Sequence, residues 1–183
     1  MEIFIENFMN SYVNFIDNIL ENTTKNHIIF LVGVYILISI VIVIFRILRK
    51  WQINIQIDNL ANNAIEMTPE EFMKMRNASF GGRGRPSYAL TRNFAGVYIL
   101  YNETKDMYYV GQGKQVLNRV NNHFTGKGNG DVYADYKYGD IFSIKMIALK
   151  NSRFKTLNEL ERHTIARYNA FSRGYNKTRG NRN

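Results

Sequence analysis

Ile28 to Phe45 is an uninterrupted run of 18 residues without a charge, and Ile47 and Leu48 carry it past Arg46. At 1.5 Å per residue such a run rises about 27 Å as a helix, close to a hydrocarbon core about 30 Å thick. The alternative is a helix buried in a protein core. Against it, the run is apolar all round, and Ser39 is its only clearly polar side chain. A cleavable signal peptide fits worse, because acidic residues precede the run and no small-x-small site follows it. The run predicts a membrane anchor over 28–48. Lys25 stands alone before it, whereas Arg46, Arg49 and Lys50 follow it, with Trp51 as an interfacial anchor. Positive charge prefers the cytoplasmic side. The expected topology is a single pass in the cytoplasmic membrane, N-terminus outside and the C-terminal region in the cytoplasm.

Residues 1–27 read as an amphipathic helix, with Ile5, Phe8, Tyr12, Phe15, Ile16 and Ile19 at three- and four-residue spacing. Its polar face carries Glu2, Glu6, Asp17 and Glu21. An acidic face does not suit an anionic membrane surface, so a partner helix or a shallow interfacial position is the expectation. Residues 49–92 read as a linker with a short helix. Trp51, Ile53, Ile55 and Ile57 alternate with polar residues, as in a strand, or belong to the frayed end of a longer helix. Thr68-Pro69-Glu70-Glu71 is a helix start, with a Thr cap and a Glu three residues on, and the helix should run to about Arg76. Gly81 to Ser87 reads as a flexible basic loop, solvated or in contact with phosphate.

From Asn93 the pattern changes to that of a compact α/β domain, 93–183. Gly96-Val97-Tyr98-Ile99-Leu100-Tyr101 and Met107-Tyr108-Tyr109-Val110-Gly111 flank a polar turn, which predicts a β-hairpin. Val116, Val120 and Phe124 then fall on one helical face, with Arg119 and His123 one turn apart along its edge. A short helical segment over Asp131–Tyr138 and a third strand from Ile141 to Ala148 follow. A last helix begins at Thr156, with Thr156 and Glu159 as a capping box, and Gly174 is its expected terminator. Leu157, Leu160, Thr164, Ile165, Tyr168 and Phe171 trace the apolar face of that helix. Steps of about 100° put Glu161 inside the arc and Glu159 nearly opposite. A buried carboxylate demands a compensating cation.

This arrangement resembles the GIY-YIG nuclease family. Its two name-giving tripeptides stand here as Gly96-Val97-Tyr98 and Tyr109-Val110-Gly111, its arginine as Arg119, its metal-binding glutamate as Glu161 and its closing asparagine as Asn176. The resemblance implies a small three-stranded antiparallel sheet flanked by helices. It implies Tyr98 as general base, Tyr109 shaping the water site, Arg119 holding the phosphate and Glu161 binding one Mg²⁺ or Mn²⁺. Gly96, Gly111 and Asn176 would support the site. His123 would assist proton transfer or touch phosphate.

The chain has no cysteine and three scattered histidines, so thiol chemistry, a Cys-ligated zinc and a His-rich metal motif are excluded. Its formal charge is +9, and residues 1–50 are balanced, so the whole excess lies beyond them. Lys114, Arg119, Lys127, Arg173, Lys177 and Arg179 are the expected phosphate contacts, and Arg182 extends the basic tail. The implied partner is DNA, with RNA left open, and no element for reading base sequence is visible. The expected role is defence against phage or other incoming DNA. The alternatives are DNA repair or processing at the membrane, and a nucleic-acid-binding or scaffolding protein with an inactive nuclease fold.

Overall fold

The computed structural model describes residues 2–78 and 92–181, with side chains at residue 7 and from residue 9 onward. The loop expected over 81–87, Arg182, and the apolar side chains Ile5 and Phe8 lie outside the described residues. The chain forms two compact units, Met1–Trp51 and Gln52–Asn183.

One helix, α1, runs from Glu2 to Asn62. Within the first unit its large apolar side chains from Ile28 to Phe45 are exposed, so no protein core claims them. By length and composition this helix can cross a membrane. The Ser39 hydroxyl donates to the Tyr35 carbonyl at 2.9 Å, which satisfies it inside the helix. The same internal bond would serve it in a solvent that offers no partners.

Of the two readings of Trp51–Asp58, the end of a longer helix is the one observed. The deciding stripe is Ile57, Leu60, Ala61 and Ala64. Ile57 and Ala61 are fully buried, and Leu60, Ala61 and Ala64 pack into the core of the second unit. Asp58 secures the stripe by accepting from Arg167 Nε and Nη2 at 2.8 and 2.9 Å.

The second unit is an antiparallel sheet flanked by helices, and the sheet has four strands rather than three. Strand β1 (Glu66–Met67) pairs with β4 (Phe142–Ala148), which pairs with β2 (Gly96–Asn102) and then β3 (Met107–Gly113) at the edge. The extra strand is only two residues long, too short to show a period. Between them α2 (Pro69–Asn77) starts with the expected reciprocal cap. Thr68 Oγ1 accepts from the Glu71 amide at 3.2 Å, and Glu71 accepts from the Thr68 amide at 2.9 Å.

The two faces of the sheet bury different sets. Tyr98, Leu100 and Ile144 pack with Phe72 of α2, with Val116, Val120 and Phe124 of α3 (Val116–Phe124), and with Val132 of α4 (Gly130–Lys137). Val97, Ile99, Val110 and Ile147 pack on the end of α1 and on Leu160 and Ile165 of α5 (Leu157–Arg167).

Helix α5 starts at Thr156 as expected, but the cap is not reciprocal. Thr156 accepts from the Glu159 amide at 3.1 Å, while the Glu159 carboxylate accepts from the Lys155 amide rather than that of Thr156. The helix ends at Arg167, not at Gly174. Asn169 takes the left-handed conformation (φ 52°), and the Ala170 amide donates back to the Ile165 carbonyl at 3.0 Å. That is the asparagine form of the usual helix stop. Phe171 therefore lies beyond the helix and is exposed. Gly174 serves a close approach: a Cβ there would stand 2.7 Å from the Ala170 carbonyl and collide with that of Tyr108.

Candidate active site

Pairing in the hairpin sets Tyr98 opposite Gly111 and Leu100 opposite Tyr109. Paired residues share a face, so the phenols of Tyr98 and Tyr109 lie on the same side, their ring centroids 6.1 Å apart. The Tyr98 hydroxyl occupies the space where a side chain at Gly111 would begin; a Cβ there would be 2.5 Å from Tyr98 Cζ. Gly111 is thus the floor on which Tyr98 lies flat. Gly96 has a parallel reason, since its Cβ would strike the Ile147 carbonyl on β4.

His123 comes from α3 and is 2 % exposed. Its Nδ1 accepts from the Asn129 amide at 2.9 Å, and its Nε2 lies 2.9 Å from the Tyr98 hydroxyl. A ring nitrogen that accepts an amide proton carries none itself, so the neutral ring bears its proton on Nε2. Nε2–H then donates to the Tyr98 oxygen. Burial first, then the charge of Arg119, lower the His123 pKa to about 4, which keeps the ring neutral at pH 7. Both nitrogens are engaged within the fold, behind Tyr98.

Tyr98 is fully enclosed. Desolvation pushes its pKa well above the ordinary phenol range, and Tyr109 adds to the rise. Arg119 opposes both, first of all through its charge. Tyr109 is also raised by burial, with Tyr98 and Arg119 working against the rise. Arg119 itself is exposed, and its side chain passes over Gly113. Its positive charge is felt at Tyr98, Tyr109, His123 and Glu161 alike.

Glu161 arrives from the opposite face of the sheet. It is 9 % exposed, as its place in the apolar arc of α5 requires. Gln112, at the end of β3, donates from Nε2 to the Glu161 carboxylate at 3.0 Å and to Asn158 at 2.6 Å. Burial raises the Glu161 pKa, while the backbone amide of Asn181, the Gln112 side chain and Arg119 pull it down. The site therefore forms where β3 ends, with phenols, imidazole and guanidinium from one layer and the carboxylate from the other.

Asn176 pins this edge strand. Its Oδ1 accepts from the Val110 amide at 2.8 Å and its Nδ2 donates to the Val110 carbonyl at 2.7 Å, standing in for the missing neighbour of β3. Tyr175 precedes it, donating to Asp135 at 2.6 Å and accepting from Asn102 at 2.7 Å. Lys114, Lys127, Arg173, Lys177 and Arg179 are exposed. Lys177 faces Asp131 at 3.4 Å, a surface pair of small energetic weight.

Reading the sequence alone misses Gln112, Asn129, Asn102 and Tyr175. Gln112 had one local signal: a polar residue immediately after Tyr109-Val110-Gly111, on the face that otherwise carries Val97, Ile99 and Val110.

The donor set is compatible with one hard divalent cation. Among the described residues no three carboxylate or imidazole side chains converge. Mg²⁺ keeps several waters and commonly uses one or two carboxylates with substrate phosphate. Glu161, held in place by Gln112, fits that requirement.

A guanidinium, a phenol pair and a lone carboxylate at the end of a small antiparallel sheet make a site suited to phosphodiester chemistry. Residues 94–176 match the model of the GIY-YIG catalytic domain, and that match indicates a nuclease-type function. Neither a curated protein nor a solved structure gives a significant match.

Proposed function

We propose that the protein is a membrane-anchored endonuclease that hydrolyses DNA phosphodiester bonds with Mg²⁺ or Mn²⁺ and with low sequence specificity. The observation that carries this reading is the meeting of Tyr98, Tyr109, Arg119 and Glu161 at one end of the sheet from its two opposite faces. Arg119 is the exposed member, and its planar fork suits a bidentate hold on a phosphate. The charge of Arg119 acts at Tyr98, so a phosphate held by Arg119 lies beside the phenol oxygen and the attacking water. Tyr98 acts as base in its phenolate form, its own proton having passed to solvent. The charge of Arg119 and the His123 Nε2–H stabilise that phenolate, which then takes one proton of the attacking water and returns to phenol. Tyr109 walls the water site beside it. Glu161 would hold the divalent cation, whose charge would stabilise the leaving oxygen.

The exposed Lys114, Lys127, Arg173, Lys177 and Arg179 favour phosphate contacts over base reading, which supports low specificity. With three cations after the anchor and one before it, the nuclease region faces the cytoplasm. Tethered there, it would meet DNA entering through the envelope, a role in defence against phage.

The test is cleavage of plasmid, single-stranded DNA and RNA with and without Mg²⁺ by wild type, Glu161→Ala and Glu159→Ala. Glu161→Ala should abolish cleavage while retaining DNA binding. Glu159→Ala should cost about 1 kcal/mol of stability through its lost cap bond and little rate. Cleavage that survives in Glu161→Ala would refute the assignment. A reporter fused after Asn183 tests the orientation, and an external signal would leave a nuclease acting outside the cell.

A further inference from the structure

Alongside the catalytic carboxylate lies a cavity of about 390 Å³ that the proposed chemistry does not use. One wall is the stripe Arg162, Ile165 and Ala166 of α5, spaced as neighbours on one helical face and beginning at the residue after Glu161. The other wall is Phe171 with the returning tail at Arg179 and Gly180. The tail comes very close to the helix. Gly180 has φ 94°, and a Cβ on it would be 3.1 Å from the Arg162 Cα. The residue that Gly180 touches is the one after Glu161, so cavity and catalytic carboxylate adjoin.

The chemistry of the walls is specific. Phe171 is 40 % exposed, and the Arg179 guanidinium lies 5.2 Å from its ring centroid. Among the described residues neither Arg162 nor Arg179 pairs with a carboxylate. A space of this size, apolar at its centre with two cations at its rim, matches a flat ring that carries a negative group. Next to a phosphodiester site, that description fits a nucleotide.

Resting on the nuclease reading, we propose that this cavity is a substrate subsite for one unpaired nucleotide of the strand being cut. Its base packs against Phe171, and its phosphate lies between Arg162 and Arg179. Base–aromatic stacking is indifferent to base identity, which agrees with low sequence specificity. A base in continuous duplex is paired and stacked and enters only if it is flipped out, at a cost. The subsite therefore favours single-stranded regions, flaps and frayed ends over intact duplex.

The test uses the full chain in detergent micelles with EDTA, so that binding is read without cleavage. The probes are a twelve-residue oligothymidylate bearing one 2-aminopurine and the matching duplex. Wild type should quench the fluorophore and bind the single strand more tightly than the duplex. Phe171→Ala should reduce that single-strand-to-duplex affinity ratio about tenfold, the loss of roughly one stacked base, and Phe171→Trp should keep it. Ala166→Phe, which fills the cavity without removing a charge, should reduce the ratio similarly. If neither Phe171→Ala nor Ala166→Phe changes the ratio, or if single strand and duplex weaken equally, the subsite does not exist. Plasmid cleavage by wild type with Mg²⁺ is read separately. Its absence, with the ratio and its loss intact, would overturn the nuclease reading and leave a nucleotide-binding cavity.

Discussion

Acid should unfold the catalytic unit through His123. The ring is enclosed, it accepts from the Asn129 amide and donates to Tyr98, and Arg119 is the nearby charge. Protonating it would place a second cation beside Arg119 and break the Asn129 bond. The folded state therefore holds its pKa at about 4, against 6.5 for the ordinary side chain. Between those values the unfolded chain binds the proton and the folded chain does not, so stability falls as pH falls. At about 1.36 kcal/mol for each pH unit across that window, and with the folded site half protonated at pH 4, the loss there is about 3 kcal/mol. Glu161, raised by burial, acts in the opposite direction, and Asp135, held low by Lys105 and Tyr175 despite its burial, acts in the same one. Both contributions are common to wild type and His123→Gln. The glutamine amide can accept from Asn129 and donate to Tyr98, and it does not titrate. Urea unfolding followed by tyrosine near-ultraviolet dichroism, at pH 7.5 and again near pH 4, gives the difference. Wild type should lose about 3 kcal/mol more than His123→Gln over that interval. Parallel losses would show that His123 is not a neutral, enclosed donor to Tyr98, and the proposed support for the phenolate would fall with it.

Gly111→Ala puts a Cβ against the Tyr98 ring, so it should cost about 1–3 kcal/mol by overpacking and slow cleavage more than binding. Unchanged melting and rate would mean that Tyr98 does not lie where the structure puts it. Asn176→Ala removes two hydrogen bonds from the edge strand at Val110. The expected loss in urea unfolding is about 2 kcal/mol, and a loss under about 0.5 kcal/mol would mean that water replaces the side chain at no cost. Arg119→Lys should keep most salt-dependent DNA affinity and lose most cleavage, because a point charge replaces the bidentate fork. Equal loss of both would make Arg119 a binding residue only.

What could be read from the residues was whatever depends on near neighbours in the chain. The start of α2 is written in Thr68 and Glu71, three residues apart, and the start of α5 in Thr156. The hairpin declares itself because its strands alternate and its turn is polar. The phase of α5 separates Glu161 from Glu159 because helical geometry is local. The apolar run from Ile28 to Phe45 needs only a count.

The rest was decided by partners far along the chain. Strand β1 exists because Glu66 and Met67 meet Lys145 and Ile144 on β4; two residues carry no period of their own. Ile53, Ile55 and Ile57 alternate as in a strand, yet the burial available to Ile57 and Ala61 makes this stretch a helix. Gly174 looked like a helix stop, but its lack of a side chain is required by Tyr108 and Ala170, while Asn169 ends α5. His123 looked available to substrate until Asn129 and Tyr98 were seen to take both of its nitrogens. A hydrogen bond or a buried face is a property of two surfaces, and the sequence lists only one of them at each position.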